Sequence, residues 1–266
     1  MELNKIYNMD CIEYMKTLPN ECVDLIVADP PYFQILKNDW DNMWGSEEDY
    51  YSWCNEWINE SFRILKKNGS MYIWNWFDNI CEMGHMAKKH NFIIRNLICW
   101  NRGGGRETKN WGSKKEDLLY LTKTNKPVFN LEDVLISAND PNRKMSKQAW
   151  ERGKYERKGR KNYNEESVNP SNVWYDSLIA SNSKEKVNHP SQKPLSICNR
   201  IIKASSNEND LVYIPFAGSG SEIISCINNN RNYIATELNN NYIEEIIIPR
   251  INEIKSINDI NDKDVN

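Results

Sequence analysis

Several features that mark large protein classes are missing from this sequence of 266 residues. No apolar run is long enough to cross a bilayer, and the N-terminal segment MELNKIYNMD lacks the basic and then apolar order of a signal peptide. The seven cysteines are scattered without a C-x-x-C pair, so neither a disulfide framework nor a zinc site is expected. These absences predict a cytoplasmic protein with reduced thiols and no bound metal.

The sequence does contain enough apolar material for a core, because apolar residues make up 39% of it. Its length suits one large α/β domain with an inserted lobe better than two full domains. The formal net charge is −3, yet nine Lys or Arg and only two Asp or Glu occupy the stretch from Arg143 to Lys161. Such a basic run is either a solvated face or a surface for phosphate groups.

Apolar periodicity and turn-forming residues predict alternating strands and helices along most of the chain. Strands are predicted at 5–7, 23–28, 70–74, 92–100, 118–122, 211–214 and 233–235. Helices are predicted at 47–67, 81–90, 195–205 and 242–254, with Asn68-Gly69 ending the first of them. From Gly103 to Asn188 the composition is typical of an insertion with little core of its own. The tail after Lys255 is polar and is predicted to fray.

The first motif with chemical meaning is Asp29-Pro30-Pro31-Tyr32, at the end of the predicted buried strand 23–28. Prolines and aspartate also form ordinary turns after strands. The motif alone therefore leaves both interpretations open.

The second motif is Phe216-Ala217-Gly218-Ser219-Gly220, between a predicted strand and a helix. Glycines let a ligand approach the backbone, and a helix N-terminus presents free N–H groups. Ile223 stands where a dinucleotide fingerprint has its third glycine, which disfavours a Rossmann oxidoreductase. Glu237 ends the next strand, where a carboxylate either accepts hydrogen bonds from ribose hydroxyls or caps a helix.

The third motif is His189-Pro190-Ser191-Gln192-Lys193-Pro194, directly before the predicted helix 195–205. The sequence around the motif shows no Ser or Cys nucleophile that the histidine would activate. We therefore expect a structural hydrogen-bonding role for His189 rather than that of a catalytic base.

In this order, DPPY, HPSQKP and FAGSG resemble the amino-methyltransferases of bacterial restriction–modification systems, in the permuted group called beta. The resemblance extends from Asp10 to about Arg250. It implies a Rossmann-like S-adenosylmethionine-dependent methyltransferase fold of the α/β class with a circularly permuted motif order. A central, mostly parallel, twisted sheet would carry helices on both faces. The glycine-loop strand would lie beside the DPPY strand at the centre of the sheet.

The resemblance also implies how the chain is divided. Residues 1–102 would form the catalytic half of the methyltransferase domain. Residues 103–188 would form an insertion for target recognition that contains one core strand near 118–122. Residues 189–254 would form the cofactor-binding half of the same domain, and 255–266 a polar tail.

Roles for individual residues follow from the same resemblance. The catalytic residues would be Asp29, Pro30 and Tyr32: the Asp29 carboxylate and the Pro30 carbonyl accept the amino hydrogens of a flipped base, which stacks on Tyr32. The residues implied to bind S-adenosylmethionine are Asp10, Cys11, Asp29, Lys193, Phe216, Gly218, Ser219, Gly220, Ser221 and Glu237. Those implied to contact DNA are Arg102, Arg106, Lys109, Lys114, Arg157, Lys158, Arg160 and Lys161.

The first residue of the DPPY motif bears on the target base. An Asp there resembles the adenine-specific subset, whereas cytosine-N4 enzymes more often carry Ser. We therefore expect methyl transfer to adenine N6 in double-stranded DNA by base flipping and direct transfer, with cytosine N4 as the alternative. A cognate restriction endonuclease and a homodimer are left open.

Two positions depart from the family pattern. Ile214 stands where an acidic residue usually precedes the glycine motif, and Ser221-Glu222 stand where Thr-Thr is favoured. The first departure removes a polar partner of the methionine amino group. A catalytically silent DNA-binding protein on the same scaffold is thus a further alternative, against which the intact DPPY motif argues.

Overall fold

The computed structural model describes residues 1–35, 37–103, 111–112, 114–137 and 167–264, with side chains up to Ser256. These residues contain one eight-stranded sheet and a separate two-stranded sheet. The large sheet consists of β1 (Lys5–Tyr7), β2 (Val23–Ala28), β3 (Leu65–Asn75), β4 (Ile93–Asn101), β5 (Lys115–Thr122), β8 (Val173–Trp174), β9 (Leu211–Ile214) and β10 (Asn232–Thr236). The small one pairs β6 (Ile136–Ser137) with β7 (Ser167–Val168).

The helices of the described residues are α1 (Cys11–Thr17), α2 (Glu47–Ile64), α3 (Phe77–Lys89), α4 (Leu195–Ser205), α5 (Ser221–Asn228), α6 (Asn240–Tyr242) and α7 (Ile248–Asp264). A π-helical turn, Ile243–Ile247, joins the last two. Short 3₁₀ turns lie at Asp39–Asp41 and Leu131–Val134. Within the described ranges we find no helix that combines the length and the apolar character needed to span a bilayer.

The strand order is β1-β10-β9-β2-β3-β5-β4-β8, and all neighbouring pairs are parallel except those that β5 forms with β3 and β4. β9 lies beside β2, with Leu25 opposite Val212 and Ile26 opposite Tyr213. This confirms the expected mostly parallel sheet with the glycine-loop strand next to the DPPY strand. The connections run outward in opposite directions from this central pair, so the crevice at its carboxyl end is the expected ligand site.

The two faces of the sheet are both covered. In β2, Ile26 and Ala28 point into one buried cluster and Leu25 and Val27 into the other, as alternation along a strand requires. α1, α2 and α3 pack on the first face, and α4, α5 and α7 pack on the second. Burial on both faces explains why β2 is a continuous apolar run apart from Asp24, whose carboxylate accepts from Lys66 and from the Leu211 N–H.

Several predicted boundaries were wrong, among them the start of α3, which is Phe77 rather than residue 81, and the start of β5, which is Lys115 rather than residue 118. α2 ends at Ile64 because β3 already begins at Leu65, so that Asn68-Gly69 lie inside the strand. A Cβ on Gly69 would lie 2.8 Å from the Asp24 carbonyl oxygen, which shows why glycine is needed there. The last helix was predicted to end at residue 254, whereas α7 continues to Asp264. Neither Gly nor Pro interrupts this continuation.

Candidate active site

The carboxyl ends of four neighbouring strands open onto one cleft. Asp10 follows β1, Asp29 follows β2, Phe216 follows β9 and Glu237 follows β10, and all four line it. The fold thus brings residues from both ends of the chain to the edge of the sheet where α/β proteins bind ligands.

Most residues predicted for catalysis and cofactor binding line this cleft. They are Asp10, Cys11, Asp29, Pro30, Tyr32, Lys193, Phe216, Gly218, Ser219 and Glu237. Gly220 and Ser221 do not. Gly220, at φ 75°, makes the turn into α5 and packs against Ile247, while Ser221 is fully buried behind the loop.

Both carboxylate oxygens of Asp29 are hydrogen-bonded. Oδ1 accepts from the Tyr32 hydroxyl at 2.8 Å, and Oδ2 accepts from Lys193 Nζ, also at 2.8 Å. The Lys193 ammonium also donates to the Tyr32 hydroxyl oxygen at 3.1 Å and lies over the Trp74 ring. Lys193, predicted to bind the cofactor, is therefore the direct ionic partner of the predicted catalytic carboxylate.

A second carboxylate extends this ion pair toward the insertion. Glu116 Oε2 lies 3.3 Å from Lys193 Nζ and has no hydrogen-bond donor among the described residues. Its Oε1 is 2.8 Å from Arg102 Nη1. Arg102, predicted to contact DNA, is thus engaged in an ion pair inside the protein.

Burial shapes the charges of this group. Burial raises the pKa of Asp29, and the Lys193 ammonium opposes that shift. Burial alone would lower the pKa of Lys193, but the Asp29 and Glu116 carboxylates outweigh it and the pKa is raised. Because an unpaired buried charge is costly, Lys193 needs a carboxylate partner at all times.

Neighbouring elements hold the backbone of the DPPY motif. The Pro31 carbonyl accepts from the Tyr50 hydroxyl at 2.7 Å, and the Tyr32 carbonyl accepts from Asn79 Nδ2 at 2.8 Å. Over the described parts of the chain, no donor reaches the carbonyl oxygen of Pro30. The Pro30 carbonyl, directly after Asp29, is therefore available to accept from a ligand.

Asp41, which the sequence analysis did not single out, folds the loop after this motif. Its fully buried carboxylate accepts from the backbone N–H groups of Tyr32 and Ile35. The loop turns through Phe33 and Gln34, both at positive φ. A capping carboxylate in an irregular segment has no periodic signal, so only the structure reveals this role.

The glycine loop is fixed from β10. Glu237 accepts from the N–H groups of Gly218 and Asn239, each at 2.8 Å, and burial raises its pKa. Gly218 has φ 49°, and a Cβ there would lie 3.2 Å from the His189 ring. Glu237 therefore caps two backbone groups and lines the cleft at once, and its oxygens retain lone pairs for a ligand.

His189, predicted to have a structural hydrogen-bonding role, accepts from the Ser191 N–H through Nδ1 at 3.4 Å and packs between two aromatic rings. Its ring meets Tyr242 edge-on with centroids 4.7 Å apart, and Trp40 lies parallel at 6.4 Å. Burial lowers the pKa of His189 to about 4, so the imidazole is neutral near pH 7. A neutral ring in an aromatic stack suits packing rather than proton transfer.

An aromatic wall, formed by Trp40, Trp44, Trp53 and Phe216, also lines the cleft. The ring centroids of Trp53 and Phe216 are 5.6 Å apart, and those of Trp44 and Trp53 are 4.7 Å apart. Trp53 belongs to the apolar residues at helical spacing in the predicted helix 47–67, and that spacing indicates only that it lies on the buried face of the helix. Trp40 and Trp44 lie in irregular segments, so sequence patterns gave no reason to place them here.

Of the residues predicted to contact DNA, only Arg102 and Lys114 can be located. Lys114 is exposed beside β5. Arg106, Lys109, Arg157, Lys158, Arg160, Lys161 and the whole basic run from Arg143 to Lys161 lie outside the described residues.

The sheet order and the position of the cleft are those of the Rossmann-like methyltransferase fold. The M1.HpyAVI complex with S-adenosylmethionine has this fold, with a TM-score of 0.63 and 23% identity over 93% of this chain and 98% of that one. The cytosine-N4-specific PvuII DNA methyltransferase has the same fold, with a TM-score of 0.67 and 16% identity over 91% of this chain and 84% of that one. At such identities the likeness concerns the fold.

Sequence comparison identifies the family. Residues 23–248 match the N6_N4_Mtase family, described as DNA methylase. The Type II methyltransferase M1.MboII of Moraxella bovis is 32% identical over 92% of this chain and 95% of its own. The DNA adenine methyltransferase YhdJ of Escherichia coli (strain K12) is 36% identical over 91% of this chain and 81% of its own. This chain belongs to the DNA methylase family, and it transfers methyl groups from S-adenosylmethionine to DNA, as the motifs predicted.

Proposed function

We propose that this enzyme methylates the N6 amino group of adenine in double-stranded DNA, after the base has left the helix. The observation that carries the proposal is the pair of acceptors after β2, the Asp29 carboxylate and the unpaired Pro30 carbonyl. Two adjacent acceptors match the two hydrogens of an exocyclic amino group.

The pair of acceptors answers a specific chemical difficulty. The lone pair of adenine N6 is delocalised into the ring, so the nitrogen is a poor nucleophile. Holding both hydrogens out of the ring plane lets the nitrogen become tetrahedral and directs its lone pair toward the methyl donor. The Asp29 carboxylate also stabilises the positive charge that develops on the nitrogen. When bound, S-adenosylmethionine supplies an electrophilic methyl group on a sulfonium centre.

We infer that the incoming amino group displaces Lys193 from Asp29 Oδ2. Glu116 Oε2, already 3.3 Å away and without a donor, can take the ammonium as Asp29 takes the substrate. The Tyr32 hydroxyl can continue to donate to Oδ1. Lys193 thus remains paired throughout, and the Asp29 carboxylate can accept the proton that the methylated nitrogen loses.

The same cleft fits the methyl donor. Its walls are largely aromatic and apolar, and the carboxylates of Asp29, Glu222 and Glu237 also line it. We assign the ribose hydroxyls to Glu237 and the close approach of the cofactor to the Gly218 backbone. The turn after β1, at Asp10 and Cys11, would bound the cofactor adenine.

Adenine is favoured over cytosine by the Asp at the first motif position and by the name of YhdJ as an adenine methyltransferase. Transfer to cytosine N4 is the second candidate, because PvuII DNA methyltransferase, which has the same fold, is named cytosine-N4-specific. The Type II names of relatives support a cognate restriction endonuclease as partner. The insertion would supply the contacts to DNA phosphates, in the cytoplasm, and a homodimer is an open arrangement.

Expression of the chain in a host without DNA methylation tests the proposal, with modified bases read by long-read sequencing. N6-methyladenine in one short sequence context is the expected result. Detection of N4-methylcytosine instead would show that the enzyme methylates cytosine N4. Unmodified DNA from cells that contain folded protein able to bind S-adenosylhomocysteine would contradict the proposal.

A further inference from the structure

Glu222 is a buried carboxylate without an ionic partner. It stands in the first turn of α5, is 5% exposed and lines the cleft. Among the described residues, no Lys or Arg nitrogen lies within 4.0 Å of its carboxylate. Its nearest side-chain donor is the Cys198 thiol, with Sγ 3.5 Å from Oε1, and thiols donate weakly. Among the described residues, this buried carboxylate therefore accepts from a thiol and from its own backbone N–H, but from no charged donor.

The cations near Glu222 are engaged elsewhere. Lys193 is held by Asp29 and faces Glu116. Arg250, on α7, donates to the Ser219 carbonyl and to the Ser221 hydroxyl. The negative charge of Asp29 acts on Glu222 in the unfavourable sense. A cationic ligand in the cleft would therefore meet a carboxylate that has no cation within ion-pair distance among the described residues.

The position of Glu222 indicates which part of the cofactor it meets. Glu237 contacts the middle of the glycine loop at Gly218, and Glu222 follows the end of that loop. With the ribose assigned to Glu237 and the methyl group to the side of Asp29, the amino-acid part of S-adenosylmethionine would extend past the loop toward α5. The end of β9 offers no charge to it, because Ile214 is apolar and fully buried.

We propose that Glu222 binds the α-ammonium group of S-adenosylmethionine and provides from α5 the negative charge that β9 lacks at Ile214. The ammonium is preferred to the sulfonium because it has N–H donors, which a sulfonium does not. The inference rests on the proposed cofactor binding in this cleft, so the experiment must separate the two.

The test compares three ligands with wild-type enzyme and with Glu222→Gln by calorimetry. S-adenosylhomocysteine carries the ammonium and the carboxylate, its decarboxylated analogue carries only the ammonium, and methylthioadenosine carries neither. Glu222→Gln should bind the first two about tenfold to a hundredfold more weakly, as expected for loss of a charged hydrogen bond. Its affinity for methylthioadenosine should change by less than about threefold.

Glu237→Gln is the matched control, because all three ligands share the ribose and should weaken together. Uniform weakening in Glu222→Gln, or no change at all, would overturn the role of Glu222. If wild-type enzyme binds none of the three ligands, the proposed cofactor cleft itself fails.

A second variant moves the charge. Ile214→Asp/Glu222→Thr should regain part of the S-adenosylhomocysteine affinity that Glu222→Thr loses, and an absence of any recovery would contradict the inference. Should the Glu222 variants not fold, wild-type enzyme still decides. The decarboxylated analogue should then bind at least about tenfold more tightly than methylthioadenosine, and equal affinities would overturn the proposal.

Discussion

Asp29 is held by two donors that belong to different parts of the chain, Tyr32 in its own motif and Lys193 in the HPSQKP segment. The contacts keep the carboxylate in place before a base arrives. Preorganisation of this kind is the usual source of electrostatic stabilisation in enzymes.

Asp29→Ala should lower methyl transfer about a hundredfold to a thousandfold while largely sparing the binding of cofactor and DNA. Asp29→Asn keeps the shape and one acceptor but loses the charge, so it should fold normally and remain slow. Single-turnover methylation with saturating cofactor and DNA is the measurement. Near-normal turnover in either folded variant would place the chemistry elsewhere.

Glu116→Gln should slow methyl transfer about tenfold, because Lys193 loses the carboxylate that would receive it when the base binds Asp29. The affinity for S-adenosylhomocysteine should change little. Steady-state kinetics and calorimetry on the same preparation measure both quantities. Glu60→Gln, which breaks an ion pair with Arg63 outside the cleft, is the control. Equal rates in the two variants would exclude a role for Glu116 in base entry.

At the scale of secondary-structure elements, the packing of α5 against α4 encloses a titratable group. Burial, with a further contribution from Asp29, raises the pKa of Glu222 to about 7 from its usual 4.5. Asp29, Lys193, Cys198 and Arg250 are the groups that act on it. Ionisation of Glu222 therefore opposes folding of the ligand-free protein.

The sign of this effect is testable. Because the folded pKa is raised, the stability associated with protonated Glu222 is present below about pH 4.5 and is lost as the pH rises to about 7. Ligand-free Glu222→Gln should therefore match wild-type protein near pH 4.5 and exceed its free energy of unfolding at pH 8 by on the order of 1–3 kcal/mol. Urea unfolding at both pH values measures this. A variant less stable than wild type at pH 8 would show that the ionised carboxylate is already satisfied.

At the scale of the whole molecule, charge is distributed unevenly. The chain carries a net charge of −3, whereas nine Lys or Arg lie between Arg143 and Lys161. DNA binding would depend on this local excess rather than on the total.

Neutralising Arg157, Lys158, Arg160 and Lys161 together should weaken DNA binding and flatten its salt dependence. Each lost phosphate contact should reduce the slope of log affinity against log salt by about 0.9. Fluorescence anisotropy over a salt series gives the slope. Replacing Lys5 and Lys16, exposed on the N-terminal segment and paired with Glu2 and Glu13, is the control. An unaltered slope would mean that the basic run is a solvated face.

The sequence by itself determined the elements whose signals are local. β9 and α4 have the predicted bounds, because a short apolar run and a helical period are properties of consecutive residues. The order of DPPY, HPSQKP and FAGSG is a property of the sequence alone, and it indicated the family, the fold and the cofactor. The family implied that the glycine-loop strand lies beside the DPPY strand, and the pairing of β2 with β9 confirmed this.

Only the tertiary structure decided which side chains meet. Lys193 and Asp29 are 164 positions apart, and Glu116 reaches them from a third element. Trp40 and Asp41 act from an irregular segment, and Glu222, noted in the sequence only as a departure from Thr, is a buried charge facing the cleft. Hydrogen bonds and ion pairs depend on distances of about 3 Å between atoms. Such distances are set by how strands and helices pack, which no local pattern of residues encodes.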